Sequence, residues 1–407
     1  MTHVSDAEFV IIGGGAIGCG VAYSLARAGV TDILLVERAA DVAQVTTAQG
    51  AGLCGQPRST LERTLLAMHS VATFRELQRD PKVQPEWHET GSLRIALSEQ
   101  RVAELRQLKS VADEAKLDVE LIDNAAARKL WPAMEFADVK AVLWCPSDGY
   151  MRPYAVASSY AYQCRKLGVR IATSTTVEEI LTRDGRVSGV KTDRGAVSCR
   201  YVINAAGANA YHIAKLVVLE LPIVPVRHEY FVSVPLEGMV PELPCFRVPE
   251  LTLYGRPCDG GLLLGGWEAQ SLQTDPRQYG VNAEPPPVEP DWMVLNSFED
   301  RFSRLLPQTR GVKKTRVGRG WPTFTPDGRF IIGESCRVPG FIMAGGCNAH
   351  GISGSAGIGR LVYESLFEPK RSDYVKSLSP DRFTEIPWNW KDACRDAAHV
   401  YETYYGV

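Results

Sequence analysis

The feature that most constrains this chain lies within its first forty residues. A short apolar run, Phe9 to Ile12, leads directly into the glycine-rich segment Gly13 to Gly18, and a stretch with small residues at helical spacing follows. A second apolar run then ends in Glu37, 24 residues after Gly13. This order of strand, glycine-rich turn, helix, strand and acidic residue is typical of a βαβ unit that binds a dinucleotide.

The glycines of such a unit have separate physical tasks. Gly13 permits a tight turn, Gly15 lets the backbone approach a pyrophosphate, and Gly18 lets the helix pack closely on the first strand. Glu37 stands where a carboxylate accepts hydrogen bonds from the ribose hydroxyls of an adenosine. The alternative is a glycine-rich turn with a purely structural role, and the pattern by itself does not distinguish NAD from FAD.

Composition and charge exclude several classes of protein. The chain of 407 residues has 45 Lys and Arg against 47 Asp and Glu, whereas proteins that bind nucleic acid or anionic membranes usually have a basic excess. Ten cysteines are scattered without a Cys-x-x-Cys pair, which favours buried thiols in a reducing compartment. No run of 18 apolar residues is present, and the polar start, Met1 to Glu8, leaves no room for a signal peptide. We therefore expect a cytoplasmic protein that binds neither membrane nor nucleic acid.

Hydrophobic periodicity and turn residues predict further helices and strands beyond the first unit. Helices are predicted over residues 60–79, 105–115, 125–130 and 358–367, the last of these being the final helix. Strands are predicted as a meander over residues 177–204 and as two long strands over 221–234 and 252–267.

Several motifs are more specific than the glycine turn. They are Thr46-Thr47, Tyr254-Gly255-Arg256, the segment from Gly261 to Glu268, the segment from Thr323 to Gly328, and the stretch from Ala344 to Arg360. With these motifs nearly the whole chain resembles the glycine oxidase/sarcosine oxidase family of FAD-dependent amine oxidoreductases. It is most similar to the dimethylglycine dehydrogenase and sarcosine dehydrogenase branch, without the folate-binding half.

The resemblance implies an α/β fold of two interleaved domains. A Rossmann-like FAD-binding domain is expected from residues 1–85, 145–220 and 318–407. A substrate-binding domain built on an antiparallel sheet is expected from residues 86–144 and 221–317.

The resemblance and the glycine pattern together imply FAD as the cofactor. The expected cofactor-binding residues are Gly13, Gly15, Ala16, Ile17, Gly18, Glu37, Arg38, Thr46, Thr47, Gln49, Gly50, Val177, Ala206, Gly207, Gly346, His350, Gly351, Ile352 and Ser353. Members of the family attach the flavin covalently through a His or a Cys, and those two positions are Gln49 and Gly320 here. We therefore expect FAD to be bound non-covalently.

Three residues are implied as catalytic by the same resemblance. His228 would orient the amine or accept its proton, because imidazole titrates near neutral pH. Tyr254 would hydrogen-bond to the substrate, and His350 would lie near the flavin in a role left open. The alternatives are a hydrogen-bonded core histidine for His228 and a core aromatic residue for Tyr254.

The substrate clamp of the sarcosine oxidases is altered in this chain. In those enzymes a Lys and an Arg hold the substrate carboxylate, and the corresponding positions are Ser353 and Gln56 here. Either Arg58 or Arg256 supplies a cation from another direction, or the substrate has no carboxylate beside its nitrogen. The Lys that activates oxygen in the monomeric enzymes is replaced by Leu263, so oxygen is expected to react slowly.

The function that follows is FAD-dependent oxidation of the C–N bond of a secondary or tertiary amine, either an N-methyl amine or an amino acid. The iminium product would hydrolyse to an amine and an aldehyde. The alternatives are a cyclic imino-acid or 2-hydroxy-acid dehydrogenase of the same fold, or a flavin-binding subunit without catalysis. The expected partners are a small-molecule amine and either oxygen or an electron-transfer acceptor. The chain would act as a homo-oligomer or as a subunit of a larger oxidase.

Overall fold

The computed structural model describes residues 5–281, 283 and 285–403. The outer ends of the expected FAD-binding domain, residues 1–4 and 404–407, lie outside the described residues, as do residues 282 and 284. The helices in the described part are α1 (Ala16–Arg27), α2 (Leu61–Leu77), α3 (Glu99–Glu114), α4 (Asn124–Leu130), α5 (Pro153–Lys166), α6 (Ala210–Lys215), α7 (Trp292–Phe302), α8 (Ser355–Phe367), α9 (Asp373–Ser377), α10 (Arg382–Glu385) and α11 (Trp390–Glu402).

The strands are β1 (Phe9–Ile12), β2 (Ile33–Val36), β3 (Leu53–Cys54), β4 (Ser92–Ala96), β5 (Glu120–Ile122), β6 (Ala141–Cys145), β7 (Gly149–Tyr150), β8 (Arg170–Ala172), β9 (Val177–Arg183), β10 (Arg186–Thr192), β11 (Gly195–Ser198), β12 (Tyr201–Asn204), β13 (Val224–Pro225), β14 (His228–Ser233), β15 (Cys245–Val248), β16 (Leu253–Cys258), β17 (Gly261–Gly266), β18 (Lys314–Gly320), β19 (Thr323–Phe324), β20 (Ile331–Glu334) and β21 (Phe341–Gly345).

The first sheet has six strands in the order β20-β21-β12-β1-β2-β8, and only the edge strand β20 runs antiparallel to its neighbour. Every side chain of β1 and β2 is buried, as is typical of parallel strands covered on both faces. Helices α1, α5 and α8 cover one face, while α6 and the meander β9–β11 cover the other. This layering places the amino terminus of α1 at the carboxyl edge of β1.

The second sheet has eight strands in the order β18-β14-β17-β16-β15-β4-β6-β5. Its neighbours are antiparallel except for the parallel pair of β4 and β15. One face packs on α7 through Phe231, Leu262, Leu264 and Phe298. The opposite face joins the core that includes the first sheet. The second sheet therefore forms a roof over the carboxyl edge of the first.

One row of residues crosses this roof on a single face. The register pairs Tyr230 with Gly265, Gly265 with Tyr254, and Tyr254 with Arg247. Paired residues on neighbouring strands project to the same side of a sheet. A Cβ atom at Gly265 would lie 2.3 Å from the Tyr254 hydroxyl, so this glycine gives the tyrosine ring its space.

The structure corrects four of the predicted elements. The region 252–267 is a hairpin of β16 and β17, because Asp259 and Gly260 both have positive φ and form its tight turn. The region 221–234 contains two separate strands, β13 and β14. Strand β12 leaves the predicted meander and joins the parallel sheet. Helix α8 is not the final helix, since α9, α10 and α11 follow it.

The division into domains remains a proposal that the strand positions support. All strands of the first sheet come from the three segments expected to bind FAD. Those of the second come from the two segments expected to bind substrate, except for the ends of β6 and β18, which extend into residue 145 and residues 318–320. No helix within the described residues has both the length and the apolar character needed to cross a bilayer.

Candidate active site

The glycine-rich turn lies between β1 and α1, as the sequence predicts. Gly13 has a φ of +109°, and a Cβ atom there would lie 2.5 Å from the carbonyl oxygen of Ala205. A Cβ atom on Gly18 would lie 1.9 Å from the carbonyl oxygen of Gly13, so α1 packs directly on the turn. Gly15 is the N-cap of α1, where backbone N–H groups and the helix dipole favour an anion such as phosphate.

Glu37, at the end of β2, braces this turn. Its carboxylate accepts hydrogen bonds from the backbone N–H of Gly14 at 2.6 Å and of Ala39 at 2.8 Å. The same carboxylate lines a cavity beside the turn whose other walls include the predicted cofactor residues Arg38, Thr46, Thr47, Val177, Ala206 and Gly207. Arg38 also donates a hydrogen bond to the Asn209 side chain at 3.4 Å. This cavity has the position and polarity for the adenosine half of a dinucleotide.

A second cavity of about 170 Å³ continues from the first and shares Gly15, Thr46 and Thr47 with it. The Thr47 hydroxyl accepts a hydrogen bond from the Ala16 backbone N–H at 3.0 Å, which ties this segment to the start of α1. Predicted cofactor residues that line the cavity are Gly15, Ala16, Ile17, Thr46, Thr47, Gln49, Gly50, Gly207, Gly351, Ile352 and Ser353. The two cavities together form one groove under the roof sheet.

Gln49 and Gly320 lie against each other in the wall of the second cavity. A Cβ atom at Gly320 would lie 2.2 Å from the Gln49 side-chain oxygen. These are the two positions that the family resemblance linked to covalent attachment of a flavin, and they lie at the same end of the groove. Neither a glycine nor an amide side chain supplies a nucleophile for such a bond.

The loop before α8 forms the floor of the second cavity. It is held in a tight conformation by positive φ angles at Gly346, Asn348 and Ala349. Within this loop His350 Nδ1 donates to the Asn348 carbonyl at 2.8 Å, and the His350 ring lies 6.1 Å from that of Phe330. Neither Gly346 nor His350 is among the described residues that line the cavity. Burial lowers the pKa of His350 well below its usual value, so the ring is neutral at physiological pH.

His228 and Tyr254 meet at the roof of the same cavity. His228 Nε2 and the Tyr254 hydroxyl are 2.7 Å apart, and both side chains line the cavity together with Trp267. The Trp267 ring lies 5.0 Å from the His228 ring and 5.1 Å from the Tyr254 ring. The structure therefore brings together two of the three predicted catalytic residues, whereas His350 is not among the described residues that line this cavity.

The environment of His228 favours its neutral form. Burial, with the nearby charge of Arg247, lowers the pKa of His228 to about 4. On its other side, His228 Nδ1 lies 3.4 Å from the hydroxyl of Tyr401, which belongs to α11. At neutral pH the imidazole is therefore unprotonated on one nitrogen, and its burial makes it a weak base unless the charges around it change.

The predicted substrate arginines lie outside this cavity, and Arg247 lines it instead. Arg58 lines a smaller adjoining space of which Arg247 is also a wall. Arg256 lies further along β16, where its guanidinium covers the Tyr150 ring at 4.6 Å and its Nε donates to the Ala51 carbonyl at 2.8 Å. Arg247 was missed by sequence reasoning, although an arginine between Phe246 and Val248 in a buried strand is a signal that a search could use.

Arg256 lines an outer cleft that opens beside the flavin end of the groove. This cleft has a volume of about 970 Å³ and shares Thr46, Gln49, Gly50 and Gly320 with the second cavity. Its other walls include Arg316, Arg319 and Trp321. The groove is thus open to solvent next to Gln49 and Gly320.

The groove fits FAD on several independent observations. The glycine turn leaves backbone N–H groups at the start of α1, and the carboxylate of Glu37 lies beside the first cavity. The second cavity lies between the roof residues His228, Tyr254 and Trp267 and the loop before α8. Within the described residues, no group of three His, Cys, Asp or Glu side chains is arranged to hold a metal ion. Backbone N–H groups and a carboxylate beside the two cavities suit an organic dinucleotide.

Comparison with known proteins agrees with this site. The chain is 30% identical over 365 residues to the 4-methylaminobutanoate oxidase (formaldehyde-forming) of Paenarthrobacter nicotinovorans, an alignment that covers 89% of this chain and 43% of that protein. It is 27% identical over 384 residues to the mitochondrial pyruvate dehydrogenase phosphatase regulatory subunit of Mus musculus, with coverage of 93% and 43%. The chain thus spans less than half the length of these curated relatives.

A solved structure and a family model complete the comparison. The crystal structure of L-proline dehydrogenase from P. horikoshii superposes with a TM-score of 0.83 at 21% identity and covers 94% of this chain and 98% of that one, which confirms the predicted α/β fold. The model of the DAO family, described as FAD dependent oxidoreductase, matches residues 8–365. The glycine turn, the groove beside it and this match lead to one conclusion: the chain belongs to the DAO family of FAD-dependent oxidoreductases, and FAD is its cofactor.

Proposed function

We propose that this chain oxidises an N-methylated secondary or tertiary amine that carries a carboxylate, releasing the methyl group as formaldehyde. The observation that carries the proposal is the His228–Tyr254 pair at 2.7 Å beside Arg247 in the wall of one cavity. The similarity to an oxidase named for 4-methylaminobutanoate, a methylamine with a distant carboxylate, supports the same substrate class. FAD would be held non-covalently, since Gln49 and Gly320 supply no attachment.

The bound FAD supplies the hydride acceptor, and the protein residues prepare the amine. An ammonium ion cannot push electrons towards an iminium, so the nitrogen must lose a proton before its carbon is oxidised. Tyr254 accepts a hydrogen bond from the amine and passes a proton to His228, whose low pKa keeps Nε2 unprotonated at neutral pH. Trp267 adds an apolar wall beside this pair, with its ring 5.0 Å from that of His228.

Arg247 is proposed to bind the substrate carboxylate. Arg247 is paired with Tyr254 in the register of β15 and β16, so the two side chains project from the same face of the roof sheet. Neighbouring residues in such a pair have Cβ atoms about 5 Å apart. If the substrate carboxylate binds Arg247, an amine nitrogen several bonds away in the same substrate would lie beside Tyr254. This arrangement favours 4-methylaminobutanoate over sarcosine, whose carboxylate is only one carbon from its nitrogen.

The test is anaerobic reduction of the bound flavin, which is measured as the decrease in absorbance of the oxidised flavin. The compounds are 4-methylaminobutanoate, N-methylpropylamine as the same chain without the carboxylate, sarcosine, L-proline and lactate. We expect 4-methylaminobutanoate to give the highest ratio of reduction rate to Kd. Replacement Arg247→Met should lower that ratio by about 30-fold or more for 4-methylaminobutanoate, because a buried charge pair is lost. The same replacement should change the ratio for N-methylpropylamine by less than threefold.

Other outcomes would identify an alternative. Faster reduction by L-proline or lactate would replace the proposal with an imino-acid or hydroxy-acid dehydrogenase. Absence of reduction by every compound would contradict catalysis and favour a regulatory subunit, the role for which one relative is named. Replacement Tyr254→Phe should slow reduction by about 100-fold. The matched control Tyr23→Phe removes a hydroxyl that accepts a hydrogen bond from Arg27 at 3.2 Å. Tyr23 is not among the described residues that line the two cavities, so this control should leave the rate unchanged.

A further inference from the structure

A series of hydrogen bonds extends from the reaction cavity through the roof to the edge of the protein. Tyr254 contacts His228 Nε2 at 2.7 Å, and His228 Nδ1 contacts the Tyr401 hydroxyl at 3.4 Å. The Tyr401 hydroxyl donates to Glu268 at 2.5 Å, and Glu268 accepts from Arg227 at 3.2 Å. Arg227 in turn donates to Asp291 at 3.0 Å, whose side chain is about one-third exposed.

The chemistry of the outer groups fixes the direction of the inner hydrogen bonds. Arginine only donates, so the carboxylate of Glu268 accepts from Arg227 and from Tyr401. With its hydrogen directed to Glu268, the Tyr401 oxygen can only accept from His228. His228 Nδ1 therefore carries the proton, and Nε2 accepts the hydrogen of Tyr254. The Tyr254 oxygen, with two lone pairs, retains capacity to accept from a substrate nitrogen.

We propose that Tyr401 and Glu268 are positioning residues that hold His228 in the tautomer with an unprotonated Nε2. This assignment rests on the proposed amine oxidation for its catalytic meaning, but the tautomer is a property of the protein alone. Neither residue touches the reacting atoms. Their effect reaches the substrate through His228 and Tyr254.

The proton balance of the step follows from this arrangement. The ammonium N–H proton of the substrate passes to the Tyr254 oxygen as the proton of Tyr254 passes to His228 Nε2. The substrate becomes a neutral amine, Tyr254 keeps one proton, and His228 becomes an imidazolium with both nitrogens protonated. The new positive charge faces Arg247 from β15, which opposes it, and Glu268 through Tyr401 from α11, which stabilises it. No other charge changes in the step.

The packing of Tyr401 suits a positioning role. Its side chain is fully buried and its ring packs edge-on against His228 at 5.9 Å and against Phe324 at 5.5 Å. Helix α11 packs against β13 and β19, so its last turn is brought to the roof by contacts independent of the hydrogen bond. Removal of the hydroxyl alone should therefore leave the ring in place.

The first experiment measures the tautomer without substrate. The FAD-loaded protein is labelled with 15N-histidine, and couplings between ring nitrogens and protons identify which nitrogen of His228 is protonated, with His228→Gln for assignment. We expect protonated Nδ1 in the wild type and a mixture of tautomers in Tyr401→Phe. A wild type protonated on Nε2, or an unchanged tautomer in the variant, would overturn the proposal. Because the wild type alone decides the first point, the test does not depend on the variant folding.

The second experiment separates positioning from general damage through the pH profile of flavin reduction by the amine. At pH 7 we expect Tyr401→Phe to be about 10-fold slower than the wild type. Near pH 10 the free amine is largely neutral and the two rates should converge. Glu268→Gln, which keeps a hydrogen-bond acceptor without the charge, should be intermediate. An equal loss at all pH values would contradict the assignment, whereas absence of reduction by any amine would contradict only the proposed function.

Discussion

Replacement of His228 by Gln should reduce the amount of folding stability that the protein loses as the pH falls. His228 has a pKa of about 4 in the folded chain, against an ordinary value of 6.5 when unfolded, because it is buried beside Arg247. Between these two pH values the unfolded chain binds more protons than the folded chain, so stability is complete above pH 6.5 and is lost as the pH falls towards 4. From pH 8 to pH 5 the expected loss is a factor of about 30 in the folding equilibrium, or about 2 kcal/mol.

The assay is urea unfolding of the FAD-loaded protein at pH 8 and pH 5, with wild type and His228→Gln measured side by side. Gln preserves a polar group opposite Tyr254 but does not titrate. The remaining histidines, including the buried His350, are identical in the two proteins and cancel in the difference. We expect the wild type to lose about 2 kcal/mol more than the variant over this interval. Equal losses would show that His228 titrates normally and would remove the basis for a neutral proton acceptor.

Three further predictions concern the cofactor, its acceptor and the glycine turn. Acid precipitation should release all FAD into the supernatant, and flavin retained on the washed pellet would show a covalent bond despite Gln49 and Gly320. Hydrogen peroxide formation in air should be at least 10-fold slower than reduction of a dye, because Leu263 offers no charge to superoxide; matching rates would contradict this. Gly13→Ala should cost roughly 3 kcal/mol or more through backbone strain and a 2.5 Å contact with Ala205, whereas Gly29→Ala, with positive φ but open space, should cost about 1 kcal/mol; equal costs would exclude the contact as the cause.

Local patterns were sufficient for the parts of the fold that depend on neighbouring residues. Two examples are the turn from β1 into α1 and the hairpin turn at Asp184 and Gly185. Each needs positive φ angles, and the residues that allow them are present in the turn itself. The sheet to which a strand belongs cannot be predicted in this way, because it depends on pairing with distant strands. Strand β12 follows the meander directly in the sequence, but its parallel pairing with β1, about 190 residues earlier, and with β21 places it in the parallel sheet. No local pattern carries that information.

The candidate site also contains residues that local sequence patterns predict and residues that they do not. The main-chain part of the groove was identified from glycines, because close approach of backbone to a dinucleotide permits few other residues. Arg247 and Tyr401 were missed because their importance depends on which elements meet. Tyr401 lies 173 residues after His228 on a helix whose exposed face is highly charged. The helix itself could have been predicted from the sequence, because helical spacing separates its buried residues Ala393, Ala397 and Tyr401.

The charges around His228 suggest how substrate binding and proton transfer are coupled in the proposed reaction. In the free site burial and Arg247 disfavour a proton on His228, which keeps Nε2 unprotonated and makes it a weak base. A substrate carboxylate bound to Arg247 neutralises this opposing charge, while Glu268 continues to stabilise the imidazolium through Tyr401. The proton affinity of His228 therefore rises when a substrate with both an ammonium and a carboxylate is in place. An amine without the carboxylate leaves Arg247 unneutralised, so it would lose its proton less readily as well as bind less tightly.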